Sequence, residues 1–378
     1  MDPNKISNIF ISAGEPSGDV RGGELLAKLK KSLPNTKFWG IGGDAMSLEG
    51  ARLIEHIKNL SLVGVWEVII NLHKIRSQFK NCANSIKKNK PALAILIDYP
   101  GFNLRLAKYL HEEHIPVVYY IIPQVWAWGE HRTRAIKKYV SKVIVLFEFE
   151  KEFLKKYGID AELAGHPLAD AVLAIRTDSK NTSSLNVALL PGSRKQEILG
   201  LLPVMLASGR LLKGSFSRPV EFTLAENSNV DSSVYDKILS GYKDLDVARV
   251  KNNTLLALSE KNFALIASGT ATLEGAASNT PFVIVYKVSP LTAVISRIVM
   301  KIPYIGLVNI VAGKMIVPEI LQENATPENI SAEILSFLEN PERLEEMRKN
   351  LKSVYTSLGE KGVAERAASF IVSFIRKL

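Results

Sequence analysis

Short apolar runs alternate with stretches of helical periodicity from the beginning of the chain to its end. In the first half the apolar runs are NIFISAG (8–14), TKFWGIGG (36–43), ALAILIDYP (92–100), PVVYYII (116–122) and KVIVLF (142–147). Strands that are apolar on both faces are typical of a parallel sheet that helices cover on both sides. The pattern therefore predicts a doubly wound α/β domain, which we place at residues 1–170.

The same alternation begins again after a polar segment, RTDSKNTSS (176–184), which is the predicted linker. The apolar runs that follow it are NVALLPGSR, VEFTLA, DVARV, FALIASGT and PFVIVYKV. They predict a second doubly wound domain at 185–345, and residues 346–378 are helical in pattern. Two such Rossmann-like domains are expected to face a cleft, since ligands of open α/β sheets bind beyond the carboxyl ends of the strands.

The composition is that of a globular protein with a basic surface. Of the 378 residues, 47% are hydrophobic and 23% are charged, and the formal charge is 48 − 38 = +10. A basic surface attracts nucleic acid, phosphorylated ligands or the anionic face of a membrane. Because no RNA-recognition, zinc-finger or helix-turn-helix signature accompanies the basic clusters, we predict no nucleic-acid partner.

The sequence favours a cytoplasmic location. Cys82 is the single cysteine, which excludes a disulfide framework and a cysteine-based zinc site. The N-terminus lacks the long apolar region of a signal peptide. The most apolar long window, 291–314, is interrupted by Arg297, Lys301 and Pro303, so we predict no transmembrane helix there and leave contact with one leaflet open.

Asp98 is a candidate base because it ends an apolar strand, directly before a turn that contains Pro100 and Gly101. A carboxylate that is partly buried at a strand end has a raised pKa and can take a proton from a substrate hydroxyl. On spacing alone, a cap or turn residue of the following helix explains Asp98 equally well.

The segment GEPSGD (14–19) joins the first predicted strand to the first helix. It is neither a G-x-G-x-x-G fingerprint nor a Walker A loop, although its glycines allow backbone amides to face a ligand. An ordinary strand-to-helix turn with Asp19 as the cap remains an equal alternative.

Two loops of the second half have the form of anion-binding sites. The segments at 189–198 and 267–277 each run from a strand through a glycine-containing turn into a helix, where backbone amides and the helix dipole favour an anion. Two such loops suggest a nucleotide diphosphate, with the guanidinium of Arg194 donating hydrogen bonds to a phosphate and Glu274 accepting them from the ribose hydroxyls. A solvated position on the helix is the alternative for Glu274. The candidate residues are Gly192, Ser193, Arg194, Ser268, Gly269, Thr270 and Glu274.

We predict neither a metal ion nor another cofactor. The Asp-x-Asp segment at 244–246 precedes a predicted strand instead of following one, and the six histidines lack metal-ligand spacing. His166 is the one histidine whose position allows it to reach the cleft, and the role that we expect for it is a structural hydrogen bond.

A wide apolar surface is predicted on a helix at 61–76, with basic residues beside it. A buried helix explains this pattern, and so does an interfacial helix that binds an anionic leaflet. The apolar positions are Val65, Trp66, Val68, Ile69, Leu72 and Ile75.

The ordered set of short motifs resembles the lipid-A-disaccharide synthase family of membrane-associated glycosyltransferases with the GT-B fold. The motifs, which cover nearly the whole chain, are GEPSGD, DYPGFN, PQVWAW, GHPLAD, LLPGSR and SGTATLE. The resemblance implies transfer of the sugar of UDP-2,3-diacylglucosamine to 2,3-diacylglucosamine-1-phosphate, which gives lipid A disaccharide 1-phosphate and UDP. It also implies an acceptor-binding first domain, a donor-binding second domain and C-terminal helices that return to the first domain.

The resemblance assigns roles to several positions. Asp98 would be the general base that deprotonates the acceptor's primary hydroxyl, with inversion at the anomeric carbon, and Arg194 would meet the charge that develops on UDP. Asn309, in GLVNIVAG, and Gln322, in PEILQ, match positions that the family places near the donor. The other residues carried over as cleft residues are Glu15, Ser17 and Asn103.

Because the implied substrates are acylated and anionic, an interfacial role becomes the favoured explanation of the apolar helix. We now expect its surface around Trp66, joined by Met205, to dock on an anionic membrane, which makes the protein peripheral on the inner face of the inner membrane. A homodimer is left open. The alternatives are a UDP-sugar epimerase of the same fold and a non-catalytic lipid- or nucleotide-binding protein.

Overall fold

Two parallel sheets organise the chain in the computed structural model, which describes residues 6–59, 72–171, 184–288 and 303–378. One unit comprises Met1–Asp170 together with Gly359–Leu378, and the other comprises Ala171–Leu358. The predicted linker at 176–184 lies almost wholly outside the described residues. The α/β class and the two doubly wound sheets are as predicted.

The sheet of the first unit has the strand order β3-β2-β1-β4-β5-β6-β7, and every pairing is parallel. Its strands are β1 (Asn8–Ala13), β2 (Lys37–Gly42), β3 (Arg52–His56), β4 (Leu93–Ile97), β5 (Val117–Tyr120), β6 (Lys142–Val145) and β7 (Ala161–Leu163). The helices between them are α1 (Pro16–Ser32), α2 (Asp44–Leu48), α3 (Leu72–Asn89), α4 (Pro100–Glu112), α5 (Val125–Trp128), α6 (Thr133–Tyr139) and α7 (Glu148–Lys155).

The sheet of the second unit has the order β10-β9-β8-β11-β12-β13 and is also parallel. Its strands are β8 (Leu185–Leu190), β9 (Val220–Glu226), β10 (Val247–Lys251), β11 (Phe263–Ala267), β12 (Phe282–Tyr286) and β13 (Glu319–Leu321). Its helices are α8 (Lys195–Ser215), α9 (Ser232–Leu239), α10 (Thr254–Leu258), α11 (Ala271–Ala277), α12 (Leu307–Ala312), α13 (Pro327–Leu338) and α14 (Pro341–Ser357).

Most of the strands that the sequence predicts are largely buried; β10 is the exception, since it is an edge strand whose residues are half-buried or exposed. All five residues of β4 and all five of β11 are buried, as expected for central strands covered by helices. The three strands that the apolar pattern misses, β3, β7 and β13, are sheet edges on which most residues are only half-buried. An edge strand needs fewer apolar residues, so its signal in the sequence is weak.

The helices predicted over 346–378 divide between the two units. Helix α14 belongs to the second unit, and only α15 (Val363–Lys377) belongs to the first, where it packs on α1. The Asp170 carboxylate accepts hydrogen bonds from the amides of Gly362 (2.5 Å) and Val363 (3.1 Å), and Arg366 Nε donates to the carbonyl of Ala164 (2.9 Å). The return to the first unit therefore begins at Gly359, later than predicted.

Candidate active site

Asp98 lies directly beyond the end of β4, at the carboxyl edge of the first sheet, as predicted. Its amide donates to the carbonyl of Ile121 (3.1 Å), and its carbonyl accepts hydrogen bonds from the Tyr119 hydroxyl (2.7 Å) and from Asn103 Nδ2 (2.9 Å). Asp98 and Tyr99 have φ angles of +44° and +51°, a left-handed conformation that costs free energy for residues other than glycine. The chain therefore holds this turn by several bonds against its local preference.

The environment of Asp98 gives its carboxyl the pKa of a base that works near neutral pH. The side chain is half-buried, and burial, followed by the negative charge of Glu15, raises the pKa of Asp98 to about 6, although a hydrogen bond from the Tyr99 amide acts in the opposite direction. Such a carboxyl is largely ionised at pH 7 and still accepts a proton more readily than an exposed aspartate.

Glu15 and Ser17 are exposed at the start of α1, beside this turn. The aromatic ring of Tyr99 lies so close to Gly14 that a Cβ there would come within 2.1 Å of Tyr99 Cδ1. Only glycine therefore fits where the loop after β1 meets the loop after β4. Glu15 follows β1, which pairs with β4, and its negative charge contributes to the raised pKa of Asp98.

Asn103 does not line a site, contrary to prediction. It is fully buried, accepts a hydrogen bond from Ser12 Oγ (2.8 Å), and donates to the carbonyls of Ile97 (3.1 Å) and Asp98 (2.9 Å). Its amide ties β1 to the end of β4. Asn103 is thus a residue that positions Asp98.

Asp19 caps a helix, although not the one that it was expected to cap. Its carboxylate accepts from the amides of Gly43 (2.6 Å), Ala45 (2.9 Å) and Met46 (3.1 Å), at the start of α2. The GEPSGD segment thereby fixes the loop after β2 as well as its own.

A pocket of about 550 Å³ opens in the second unit, beyond the carboxyl ends of β8, β9, β10 and β11. All seven residues predicted for the diphosphate and ribose lie on its wall: Gly192, Ser193, Arg194, Ser268, Gly269, Thr270 and Glu274. Ligands of open α/β sheets bind in this position.

Arg194 is the cation of the pocket's first loop, and most of its side chain is exposed. The amides of Ser193 and Arg194, which were expected to bind a phosphate, donate instead to Glu197 Oε2 at 3.0 and 3.2 Å. This carboxylate is the acidic member of a capping box at the start of α8. Anion binding at this loop therefore depends on the guanidinium of Arg194 in the arrangement seen.

The second loop leaves its backbone more open. Gly269 has φ +144°, and a Cβ added at this position would meet no heavy atom within 4 Å, while Ser268 Oγ donates to the carbonyl of Ile305 (3.0 Å). Glu274 is half-buried on the pocket wall; burial raises its pKa, and a hydrogen bond with the Thr254 side chain lowers it.

The prediction that Asn309 contacts the UDP-sugar donor is wrong, because its side chain is fully buried and makes hydrogen bonds within the protein. Its Oδ1 accepts from the amides of Ile316 (2.9 Å) and Val317 (3.0 Å), and its Nδ2 donates to Glu319 Oε1 (2.8 Å). Gln322 is half-buried just after β13, with φ +52°, and its Oε1 accepts from the amide of Val288 (3.3 Å). It lies at the carboxyl edge, so the prediction for Gln322 stays open.

Sequence reasoning missed the other half of the pocket wall. The carboxyl ends of β9 and β10 and the residues that follow them contribute Glu226, Asn227, Ser228, Asn229, Asn252 and Thr254. Asn252 has φ +53°, and its Oδ1 accepts from the amide of Ser228 (2.8 Å), which fixes one loop against the other. The signal that could have found them was the asparagine-rich composition of both strand ends, in AENSNV and VKNNT.

A second missed carboxyl, Glu150, lies at the start of α7 in the first unit and is buried. Burial raises its pKa to about 7; hydrogen bonds from Trp126, Leu146 and Phe147 oppose the shift, and the charge of Asp98 adds to it. Asp98 follows β4 and Glu150 follows β6, so both carboxyls belong to the carboxyl edge of the first sheet.

His166 is buried, and its ring stacks on Phe147 with 5.2 Å between the centroids. Its Nδ1 accepts from the Leu168 amide (3.2 Å), so the neutral ring carries its proton on Nε2. Burial, followed by the positive charge of Arg21, lowers the pKa of His166 to about 4. The structural hydrogen bond that was expected for this residue is present.

The predictions for a membrane surface have mixed outcomes. Val65, Trp66, Val68 and Ile69 lie outside the described residues, as do the side chains of Leu72 and Ile75. Met205 is wrong as a membrane contact: it is fully buried in α8. By length and composition α8 could cross a membrane, but it packs against β9 and α13 as a core helix.

Within the described ranges, His, Cys, Asp and Glu side chains form no group of three or more that could hold a metal ion. Cys82 is a buried free thiol whose pKa burial raises to about 12. It is thus an unreactive core residue.

A family model described as lipid-A-disaccharide synthetase matches residues 9–374. The lipid-A-disaccharide synthase of Syntrophus aciditrophicus (strain SB) is 39% identical over 98% of this chain and 98% of that protein. The enzyme of the same name from Geobacter sulfurreducens is 35% identical, and the match covers 100% of both chains.

Solved structures with the same fold include sugar-nucleotide enzymes. A putative UDP-N-acetylglucosamine 2-epimerase from Listeria monocytogenes aligns with a TM-score of 0.63 at 13% identity, covering 99% of this chain and 98% of that one. The calicheamicin glycosyltransferase CalG4 aligns with a TM-score of 0.63 at 12% identity, covering 99% of each chain. These likenesses show the GT-B fold class, with its two α/β domains, and not an activity.

Proposed function

Because the chain belongs to the lipid-A-disaccharide synthetase family and is therefore a glycosyltransferase, we propose that it joins UDP-2,3-diacylglucosamine to 2,3-diacylglucosamine-1-phosphate. The products are lipid A disaccharide 1-phosphate and UDP. The likeness to epimerases is one of fold alone, so it does not favour that activity over transfer.

The observation that carries the mechanism is the placement of Asp98. Its carboxylate lies at the carboxyl edge of the first sheet, half-buried and with a pKa of about 6. We infer that it removes the proton of the acceptor's primary hydroxyl while that oxygen attacks the anomeric carbon of the donor. The bond between this carbon and the diphosphate oxygen breaks, the electron pair leaves with UDP, and the configuration inverts.

The pocket of the second unit supports the donor side of the proposal. It has a volume of about 550 Å³, with the guanidinium of Arg194 and the open turn at Gly269 for the diphosphate and with Glu274 for the ribose hydroxyls. A cation beside the leaving diphosphate stabilises the charge that develops there. One protein of similar fold, the UDP-GlcNAc 2-epimerase from Neisseria meningitidis (TM-score 0.57), has been solved bound to UDP-GlcNAc.

A peripheral location on the cytoplasmic face of the inner membrane follows from the proposed substrates, since both carry acyl chains. The formal charge of +10 favours an anionic leaflet. Replacing Val68 and Ile69 with polar residues tests this: we expect folded protein to leave the membrane fraction. An unfolded product would instead show that these side chains belong to a core.

The function is tested by incubating the purified protein with both lipid substrates and a chelator. We expect stoichiometric UDP and disaccharide 1-phosphate. Incubation with the donor alone tests the epimerase alternative, which requires a new UDP-sugar epimer and no acceptor. If neither UDP nor an epimer appears, the non-catalytic alternative gains support.

A further inference from the structure

Glu150 is a buried carboxyl that the proposed reaction does not use. Its Oε1 accepts a hydrogen bond from Trp126 Nε1 (3.2 Å), and its Oε2 accepts from the amides of Leu146 (3.1 Å) and Phe147 (3.2 Å). The carboxylate thus connects the indole of Trp126, which follows β5, with the backbone of the loop that follows β6. A buried carboxylate with three donors is rigidly held, because the loss of any partner leaves a buried polar atom unpaired.

The loop that carries Trp126 is also attached to the candidate base. Ile121, which precedes Trp126 in this loop, accepts the hydrogen bond from the amide of Asp98 and donates its own amide to Ile144 (3.1 Å). Ile121 has φ +61°, which is a strained conformation for a β-branched side chain. Strain of this kind persists only where the surroundings impose it, and it is concentrated at functional sites.

Trp126 is the first member of a row of four rings that crosses the carboxyl ends of β5, β6 and β7. Trp126 meets Phe149 edge to face at 5.0 Å, Phe149 stacks on Phe147 at 5.3 Å, and Phe147 stacks on His166 at 5.2 Å. Trp126 and Phe149 are half-buried, so part of each ring faces solvent. We call these four residues the aromatic row.

The aromatic row suits a ligand with apolar surface. Its indole N–H is bonded to Glu150, and Nδ1 of His166 is bonded to the Leu168 amide, so neither group is free to bind solvent. What Trp126 and Phe149 offer is ring surface, at the sheet edge to which Asp98 belongs. Aromatic side chains in such positions pack against the apolar faces of sugars and against acyl chains.

We propose that Trp126 contacts the apolar part of the acceptor and that Glu150 is a positioning residue, which holds the indole in place for that contact. This inference rests on the proposed function. It assigns to Glu150 no contact with substrate and no proton transfer. Its effect on the reaction passes through Trp126.

The test uses two substitutions that share one effect, the loss of the hydrogen bond between Trp126 Nε1 and Glu150. Trp126→Phe removes the indole N–H. Glu150→Gln replaces the two carboxylate oxygens, which accept from three donors, with a single amide oxygen. The matched control is Trp39→Phe, since Trp39 is buried in the same unit and its Nε1 donates to Asn8 Oδ1 (3.0 Å), at the beginning of β1. The measurements are kcat, the KM of each substrate and the melting temperature, for each variant and for Trp126→Phe/Glu150→Gln.

We expect Glu150→Gln to raise the KM of the acceptor about fivefold, the effect of one hydrogen bond, and Trp126→Phe to raise it by at least as much, because this substitution also removes ring surface. The KM of the donor should be unchanged in both variants. The double variant should be no worse than the more affected single variant, because both changes break the same contact. Trp39→Phe should leave both KM values unchanged, whatever it does to the melting temperature.

An unchanged acceptor KM in a folded Trp126→Phe variant would overturn the proposal, as would additive effects in the double variant. If Glu150→Gln does not fold, Trp126→Phe alone still decides. Failure of the proposed function is distinguishable, since the wild-type protein would then form no disaccharide at all.

Discussion

The hydroxyl of Tyr119 donates a 2.7 Å hydrogen bond to the backbone carbonyl of Asp98, from a side chain that is fully buried between sheet and helix. The bond connects β5 with the residue after β4, whose left-handed backbone is unfavourable by itself. Burial raises the pKa of Tyr119 well above its usual value, so the phenol stays protonated and remains a donor.

Tyr119→Phe removes this donor and keeps the ring. We expect a loss of about 1 kcal/mol in the free energy of unfolding and a fall in kcat of several fold, because the base is held less firmly. Tyr109→Phe is the control: its hydroxyl donates to the carbonyl of Ala83 (3.2 Å), away from Asp98. Equal kcat values for the two variants would show that the bond to Asp98 has no role in positioning.

The rate should depend on pH through the ionisation of Asp98. Because the base must be deprotonated, kcat/KM should fall tenfold per pH unit below about 6, the pKa of Asp98. Glu15→Gln removes the negative charge that, after burial, raises the pKa of Asp98, so the fall in kcat/KM should move to lower pH. If kcat/KM falls at the same pH in Glu15→Gln as in the wild type, the charge of Glu15 does not influence the pKa of Asp98.

The free energy of unfolding should fall as pH rises through 6, whereas the rate should increase. The pKa of Asp98 is raised from 3.8 to about 6 in the folded protein, so the folded state binds more protons than the unfolded state between these values, and the carboxyl's contribution to stability is lost as pH rises through 6. Asp98→Asn should therefore be more stable than the wild type at pH 7 by up to about 3 kcal/mol, and this advantage should disappear below pH 4. Denaturant unfolding at both pH values measures the difference; equal differences at pH 4 and 7 would contradict it.

Arg194→Ala should weaken UDP binding about tenfold, the effect of losing a charge-assisted contact with a phosphate. Arg210→Ala is the control, since Arg210 lies within α8, the helix that follows Arg194, and pairs with Asp244 (2.5 Å) outside the pocket lining. Calorimetric titration with UDP distinguishes the two. Similar losses for both would indicate a general effect of charge instead of a contact.

Central strands and the loops that follow them could be predicted from the sequence because burial on both faces leaves a plain apolar pattern. Asp98 and the loop at Arg194 were found in this way, since each directly follows such a strand. Glu150 was not, because a glutamate in the first turn of a helix is typical of a solvated cap. In the structure it is buried and accepts a hydrogen bond from Trp126, which follows another strand.

The asparagines show a second limit. Asn103 and Asn309 occur in motifs that resemble a substrate site, yet both are fully buried and bind backbone groups of their own unit. A motif identifies residues that belong together without showing which of them reach the ligand. That distinction depends on burial, which only packing of distant segments determines.

The activity of Asp98→Asn tests the central claim most directly. The substitution keeps the size of the side chain and removes the base, so disaccharide formation should fall by about 10²–10⁴-fold while the affinity for UDP, measured by calorimetry, stays that of the wild type. A folded Asp98→Asn variant that turns over at a rate near that of the wild type would contradict the account.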